Sequence, residues 1–296
     1  MTKKKKKMSG KKIALIVIAA LVAVVALLSI PYTLNGADKD SIILLKRGGS
    51  REALADTLKK HFDESYADRV MTMITVTRTH LSQRHGAFEI KKGDSPLKVA
   101  LKIRNGKAKT VTLTFNNVRT KQEFIDRVSK KFMASKAEFT KAFNSPEVCK
   151  KFGRTPDDIV MILIPDSYEF YWDITPEEML EKFDGFYKKF WNDERVAKAK
   201  KLGLTPDQMT IVASIAEEET SKADERGKVG QLYINRINKK MRLQADPTVK
   251  FAIGDFSIKR ITNAMLQTDS PYNTYMHDGL PPGPIRLPKR APSMPS

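Results

Sequence analysis

Hydrophobic positions along this chain follow three patterns, and each predicts a different kind of element. The first is unbroken. Ile13 to Ile30 reads IALIVIAALVAVVALLSI, without a single charge. At 1.5 Å rise per residue, a helix of that length spans about 27 Å, close to a bilayer's hydrocarbon core. Backbone amides in lipid need partners inside their own segment, so the run is predicted to be a helix that crosses the membrane. The lysines ahead of it, Lys3 to Lys7, Lys11 and Lys12, hold the N-terminus on the cytoplasmic side and send the remaining chain across. A cleaved signal peptide is the rival reading. The run is long for one, and Ser29-Ile30-Pro31-Tyr32 is a poor small-x-small cleavage site, so an uncleaved single-pass anchor is favoured.

The second pattern is short apolar runs and period-two alternation, which predict strands. Lys39 to Leu45 is one such run, His85 to Ile90 leads into a glycine turn, and Lys109 to Phe115 alternates apolar with hydroxyl residues. Ile159 to Pro165 (IVMILIP) is predicted as a buried strand because it is too short for a buried helix. The third pattern is helical spacing. Ser50 caps a helix carrying Leu54 and Leu58, and residues 66–85 read as a second helix despite four threonines. Ser95-Pro96 starts a helix that ends at Asn105-Gly106. Thr120 with Glu123 forms a capping box ahead of Phe124, Val128 and Phe132. Residues 176–200 read as one amphipathic helix with Phe183, Phe186, Tyr187 and Phe190 facing a core. Asp166 to Trp172 sets aromatics beside acids; they suit either sugar stacking or, more commonly, core packing.

These elements predict an α+β chain. The boundaries are a basic cytoplasmic tail (1–12), a transmembrane helix (13–30), a small α+β module (31–118), a mixed α/β domain (119–288) and an atypical tail (289–296). The strand–helix–strand order of the small module resembles sugar-binding modules of the LysM type. Composition narrows the rest. Apolar residues make up 41% and charged residues 29%, which excludes wholesale disorder. The lone cysteine, Cys149, excludes an internal disulfide and a cysteine-rich zinc module. His61, His80, His85 and His277 show no metal-ligand spacing, so no metal and no cofactor is expected. Of the net charge of +19, the first thirty residues carry seven lysines and no acid; 19 less 7 leaves +12 for the remainder. A basic solvated surface or a polyanionic partner explains that excess equally. No zinc-finger, P-loop or aromatic RNA-binding motif accompanies it, so nucleic acid is not an expected partner.

Candidate chemistry begins at Thr205-Pro206-Asp207-Gln208, a capping box with proline at the first helical position. At 100° per residue, Met209, Val212, Ile215, Ala216 and Glu219 share one face of the helix that follows. Thr210, Ser214, Glu217 and Ser221 share the opposite one. The first face suits a core, which would require a partner for Glu219. The second suits a polar cleft into which Glu217 projects as a general acid. Three consecutive glutamates are more often a solvated acidic face, and both readings stand on spacing alone.

The same residues carry a resemblance. Ala213-Ser214-Ile215-Ala216-Glu217-Glu218-Glu219-Thr220 resembles the A-S-I-x-E-x-E-T signature of the endolytic murein transglycosylases, the MltG or YceG-like family. Tyr233-Ile234-Asn235-Arg236, Met241 to Val249 (MRLQADPTV), Ser270 to Tyr275 (SPYNTY) and Gly279 to Ile285 (GLPPGPI) resemble its further motifs, in order. The resemblance implies a membrane-anchored lytic transglycosylase that cuts MurNAc–GlcNAc bonds within nascent glycan strands and leaves 1,6-anhydroMurNAc ends. It implies Glu217 as the single catalytic acid and base. It assigns Glu219 a supporting, substrate-side role, holding Arg236 or Arg242. Gln244, Asp246, Asn273 and Tyr275 become candidate contacts to acetamido groups and sugar hydroxyls; turn and cap roles explain the same residues. Peptidoglycan is the implied partner, with penicillin-binding proteins as companions in wall assembly. The family continues several dozen residues beyond the G-L-P-P-G-P-I motif, whereas Lys289 to Ser296 (KRAPSMPS) has no family-like character. The expectation is therefore a catalytic domain lacking its usual C-terminal end, with a non-catalytic peptidoglycan-binding or scaffold protein as the alternative.

Overall fold

A computed structural model describes residues 10–289; the predicted basic tail up to residue 9 and the atypical tail from residue 290 lie outside the described residues. The chain is mixed α+β with an apolar N-terminal helix, α1 (Gly10–Thr33). Within it Ala14–Thr33 has mean hydropathy 2.9, with no part of that stretch buried by the rest of the fold. Contacts divide the chain into two compact units. One runs through Thr110 and includes Tyr171–Asp173; the other comprises Val111–Phe170 and Ile174 onward.

In the first unit, β1 (Ser41–Leu45) is followed by α2 (Arg51–His61) and α3 (Glu64–Val76), then β2 (Gly86–Ile90) and α4 (Pro96–Asn105). β1 and β2 pair antiparallel from Ser41 opposite Ile90 to Leu45 opposite Gly86. The strand period decides what is buried: Ile43 and Leu45 enter the core while Ile42 and Leu44 stay exposed. Leu54, Leu58, Val70, Ile74, Val99 and Ile103 complete that core from the helices. The second helix is shorter than the predicted 66–85. The Thr77 hydroxyl donates back to the Met73 carbonyl at 2.7 Å, and Arg78 takes a left-handed φ of 51° that no helix continues. Asp63, not a residue near 66, caps its start by accepting from the Tyr66 amide at 2.9 Å.

In the second unit, β3 (Thr110–Phe115) pairs with β4 (Asp166–Tyr171), with α5 (Lys121–Val128), α6 (Lys136–Asn144) and α7 (Pro146–Lys150) between them in sequence. α8 (Pro176–Phe190), α9 (Asp193–Lys201), α10 (Pro206–Glu219), α11 (Arg226–Asn238) and α12 (Asp246–Ile253) follow. The core is aromatic. The Phe183 ring meets Phe115, Phe124, Tyr168 and Phe170 at centroid separations of 5.8, 5.7, 5.1 and 5.5 Å. Tyr168 and Phe170 therefore serve packing, while Tyr171 is 50% exposed.

Two predicted elements differ. Ile159 to Pro165 is not a strand: Ile159–Ile162 is a 3-10 turn, with Ile159, Met161, Ile162, Leu163 and Ile164 all buried. An apolar run buried on every side has no period, so length alone could not distinguish a strand from a tight turn. The strand comes next, at β4, where alternation does appear. The predicted helix over 176–200 is two helices. Trp191 leaves the helical region at φ −86°, ψ 61°, and the Asn192 side chain accepts from the Arg195 amide at 3.0 Å to start α9.

The loop joining β2 to α4 carries a titratable anchor. Asp94 is 1% exposed and accepts from the Lys91 amide at 2.8 Å, from Lys98 at 2.7 Å and from Lys102. Burial pushes its carboxyl up, but the bonds from Lys102, Lys98 and the Lys91 amide together outweigh this and hold it at about 2. An unfolded aspartate titrates near pH 3.9, so the stabilisation is complete above that value and is lost as pH falls toward 2. Asp94→Asn is expected to cost on the order of 2 kcal/mol at pH 7 and only about 0.4 kcal/mol at pH 2. Urea midpoints of wild type and variant at the two pH values check this; an equal gap at both contradicts it.

Candidate active site

α10 is held in place before its chemistry begins. Thr205 and Gln208 form a full capping box, and Pro206 occupies the first turn. Beside that turn, Asp207 accepts from Arg154 at 3.1 Å and from the Tyr187 hydroxyl at 2.8 Å. Burial, and then the bond to Asp207, push the Tyr187 phenol up to about 12. The apolar face packs as predicted, with Met209, Val212 and Ile215 buried. α11 approaches closely where Gly230 lies under Val212: an added Cβ would stand 3.9 Å from Val212 Cγ1.

The opposite face is covered by the segment Ile285–Lys289. Ser214 Oγ donates to the Ile211 carbonyl at 2.7 Å and accepts from the Ile285 amide at 3.2 Å. Arg286 pairs with Glu218 and donates to Asn117 Oδ1 at 2.6 Å. The Leu287 amide donates to the Val118 carbonyl at 2.8 Å. Arg119 Nη2 reaches both Glu218 oxygens, at 3.1 and 3.2 Å, and its guanidinium lies over the Phe256 ring at 4.5 Å.

Glu217 is the buried member of the acidic run, 6% exposed. Its Oε2 accepts from the Lys289 amide at 2.7 Å. Its Oε1 stands 3.6 Å from Arg226 Nη1 and 3.9 Å from Arg286 Nη2, with no hydrogen-bond partner among the described residues. The side chain borders a cavity of about 270 Å³. α10 contributes Thr210, Ala213 and Glu217 to its wall; α11 contributes Arg226, Gly227 and Gly230. Leu163, Trp191, Arg195, Lys198 and Lys289 add a wall that is part apolar and part basic. Among the described residues no group of three or more His, Cys, Asp or Glu is arranged to hold a metal ion.

Glu219 differs from its predicted surroundings. It is exposed rather than set in an apolar stripe, because α10 ends there and Thr220 is already extended. Its Oε2 accepts from the Tyr233 hydroxyl at 3.2 Å, not from Arg236 or Arg242. Arg236 instead donates to the Arg242 carbonyl at 2.7 Å and to Gln244 Oε1 at 2.6 Å. Arg242 pairs with Asp278 at 2.8 Å. Gln244 sits at a left-handed φ of 52°, and its amide donates to the Thr274 carbonyl at 3.1 Å. The Tyr275 hydroxyl donates to Asp246 at 2.7 Å; burial and then that bond push the phenol up to about 12. Asn273 is fully buried and donates to the carbonyls of Leu266 and Thr268, at 3.0 and 2.8 Å, which makes it a loop-shaping residue. Glu219, Gln244, Asp246 and Tyr275 thus belong to a polar surface joined through Tyr233 and Arg236. None of these four, nor Asn273, lines the Glu217 cavity.

Sequence reasoning missed Arg226, Arg286, Trp191 and the Lys289 amide. Nothing in residue type marks two arginines among 53 basic residues, and a backbone amide carries no sequence signal at all.

A model of the YceG-like family matches residues 43–292. This chain belongs to the YceG-like family. The endolytic murein transglycosylase of Bacillus subtilis (strain 168) is 42% identical to it over 89 residues, 30% of this chain and 24% of that protein. The endolytic murein transglycosylase of Streptococcus pneumoniae serotype 2 (strain D39) is 30% identical over 134 residues, 43% of this chain and 23% of that protein. The chain thus spans less than a quarter of the length of either relative. The crystal structure of a yceG-like protein from Listeria monocytogenes shares the fold, with a TM-score of 0.53 at 22% identity, covering 86% of this chain and 88% of that one.

Arg286 ties the covering segment to α10, and charge-assisted bonds of this kind are worth about 1.5–3 kcal/mol each. Arg286→Ala is expected to destabilise the second unit by about 2–3 kcal/mol, read as a lowered urea midpoint. Arg286→Lys should recover only part of it, since one ammonium cannot reach Glu218 and Asn117 with a guanidinium's fork. Full recovery by lysine would contradict the two-pronged role.

Proposed function

We propose that this chain is a membrane-anchored endolytic lytic transglycosylase of peptidoglycan, with Glu217 as its catalytic acid and base. The observation that carries the reading is the Glu217 carboxyl: buried beside a cavity, with Oε2 fixed by the Lys289 amide and Oε1 without a hydrogen bond but within ion-pair reach of Arg226 and Arg286. A carboxyl held at one oxygen is oriented at the other, which is what proton transfer to a bound atom requires. In the first half-reaction Glu217 gives its proton to the glycosidic oxygen, and the bond from that oxygen to C1 of the muramoyl residue breaks. In the second the muramoyl 6-hydroxyl oxygen bonds to C1 and its proton passes to Glu217. The carboxyl is regenerated, no water is consumed, and a 1,6-anhydro end remains. Arg226 and Arg286 stand where they offset the negative charge that Glu217 carries between the two steps.

Other features agree with a wall glycan as substrate. Pockets for drug-sized ligands run from about 300 to 1,000 Å³, so the Glu217 cavity takes one sugar-sized unit of a longer strand. Arg195, Lys198 and Lys289 at its wall suit the carboxylates of muramoyl peptides. The surface built from Glu219, Gln244, Asp246 and Tyr275 offers hydrogen bonds to flanking sugars, and Asn273 shapes its loop. The first unit's order of strands and helices suits a LysM-like glycan-holding module. The apolar helix, preceded by lysines, supports an anchor with the catalytic part outside the cytoplasmic membrane, where penicillin-binding proteins of wall synthesis would be its neighbours.

Digestion of purified glycan strands, with mass spectrometry of the anhydromuramoyl ends, tests the reaction. Glu217→Gln keeps the shape and an acceptor for the Lys289 amide. It is expected to lower release by about 10²–10⁴-fold with an unchanged circular dichroism spectrum. Equal release by wild type and variant, with both still sedimenting with sacculi, would make the chain a wall-binding scaffold.

A further inference from the structure

The end of α1 is tied to the rest of the first unit with almost no slack. α1 stops at Thr33, and the Leu34 amide still donates to the Ile30 carbonyl at 2.9 Å. By Ala37 the chain is fixed again. The Ala37 amide donates to the Asp94 carbonyl at 2.9 Å, and the Ala37 carbonyl accepts from the Gly93 amide at 2.8 Å. Asp40 Oδ1 then accepts from the Lys92 amide at 2.7 Å. A Cβ on Gly36 would collide with the Gly93 backbone, so this close approach needs glycine. Even fully extended, the link from Thr33 to Ala37 reaches only about 14 Å. α1 also packs directly against α3 and α4.

The stretch Ala14–Thr33 spans about 30 Å as a helix, the thickness of a hydrocarbon core. A helix that fills the core puts Thr33 at its boundary and Tyr32 at the depth where aromatic belts lie. α4 begins beside that boundary. Its inner face is Val99, Ala100 and Ile103. At 100° per residue its outer face carries Leu97 and Leu101, with Arg104 on one side and Lys98 and Lys102 on the other. Leu101 is 39% exposed. Thr33, Leu97, Leu101, Lys102 and Asn105 line one shallow hollow of about 490 Å³, so the end of α1 and this face of α4 open onto the same space. α4 has no acid of its own; Lys98 and Lys102 pair with Asp94 in the loop before it. A leucine stripe edged by long cations is the pattern of a helix lying among lipid headgroups.

We propose that α4 lies on the bilayer, with Leu97 and Leu101 at the boundary between headgroups and acyl chains and Lys98, Lys102 and Arg104 against the phosphates of anionic phospholipid. This contact rests on the reading of α1 as a membrane anchor. The first unit then rides at the membrane surface with one face fixed toward it, instead of swinging on a tether. A protein partner on the same face would have to displace the lipid that surrounds the end of α1.

The test uses the full chain in nanodiscs of phosphatidylcholine, with or without phosphatidylglycerol, carrying nitroxide-labelled lipids as quenchers. Cys149 is the lone cysteine, so a Cys149→Ala background leaves one thiol per variant for an environment-sensitive fluorophore. The labelled positions are Leu101→Cys on α4, Ala20→Cys in α1 and Asp56→Cys, exposed on α2 and outside the hollow. The label at 101 is expected to be quenched by nitroxides near the headgroups, the label at 20 by nitroxides deep in the acyl chains, and the label at 56 by neither. Leu97→Glu should release the label at 101 from quenching in both kinds of disc. Arg104→Gln should weaken the contact about fivefold in anionic discs, the effect of one cation near such a surface. An unchanged contact in either variant overturns the proposal, as does equal quenching at 101 and 56. Quenching at 20 without quenching at 101 overturns the α4 contact and keeps the anchor; quenching at neither overturns both. A label at 101 that is shielded from aqueous iodide yet untouched by nitroxide lipids would show a protein on this face and overturn the lipid assignment.

Discussion

The second unit depends on how one helix disposes of three adjacent carboxylates. At 100° per residue, neighbours on α10 cannot share an environment, and the chain gives each glutamate a different one. Glu217 turns into a cavity, with one oxygen held by the Lys289 amide. Glu218 turns into an ion triad with Arg119 and Arg286. Glu219 reaches the surface and Tyr233. The middle pairing matters most. Half-buried charge is tolerable only when partnered, and the partners of Glu218 come from two distant stretches of chain. Arg286 brings with it the Lys289 amide that orients Glu217. The stability of Glu218 and the orientation of Glu217 are therefore one constraint.

Much of this was legible in the residues, and the limits were physical. Caps were readable because their chemistry is local: Ser50, Ser95, Thr120 and Thr205 each accept from an amide three residues on. β1 was readable as a short apolar run bounded by charge, and β3 because alternation leaves a trace. Ile159 to Ile162 was misread because a segment buried on all sides shows no period, so a tight turn looks like a strand. The break at Trp191 was missed because the apolar spacing through Phe190 continues past the point where the backbone stops being helical.

The site divided along the same line. Helical spacing separated buried Glu217 from exposed Glu219, although Met209, Val212 and Ala216, expected on the Glu219 face, also line the Glu217 cavity. It could not say that a returning segment covers the Ser214 side, because that contact joins residues 71 positions apart. Nor could it say that Glu219 lies beyond the packed part of its helix, since where α10 stops depends on Thr220. Asn273, a candidate sugar contact by residue type, instead spends its amide on two loop carbonyls. An asparagine's donors look the same in sequence whichever acceptor takes them.

The cavity beside Glu217 exists because two local irregularities meet there. α11 presents Gly227 and Gly230 toward it, so a helix face that would ordinarily fill the space leaves it open. The junction of α8 and α9 turns Trp191 inward at the point where a continuous helix would have kept it in register with Phe190. Glycine inside a helix costs about 1 kcal/mol against alanine, and an unpaired indole costs at least as much. A fold that only had to be stable would close the space with alanines and an aliphatic side chain. Retaining both costs around one oriented carboxyl fits a site shaped for an occupant that brings an atom able to exchange a proton with Glu217.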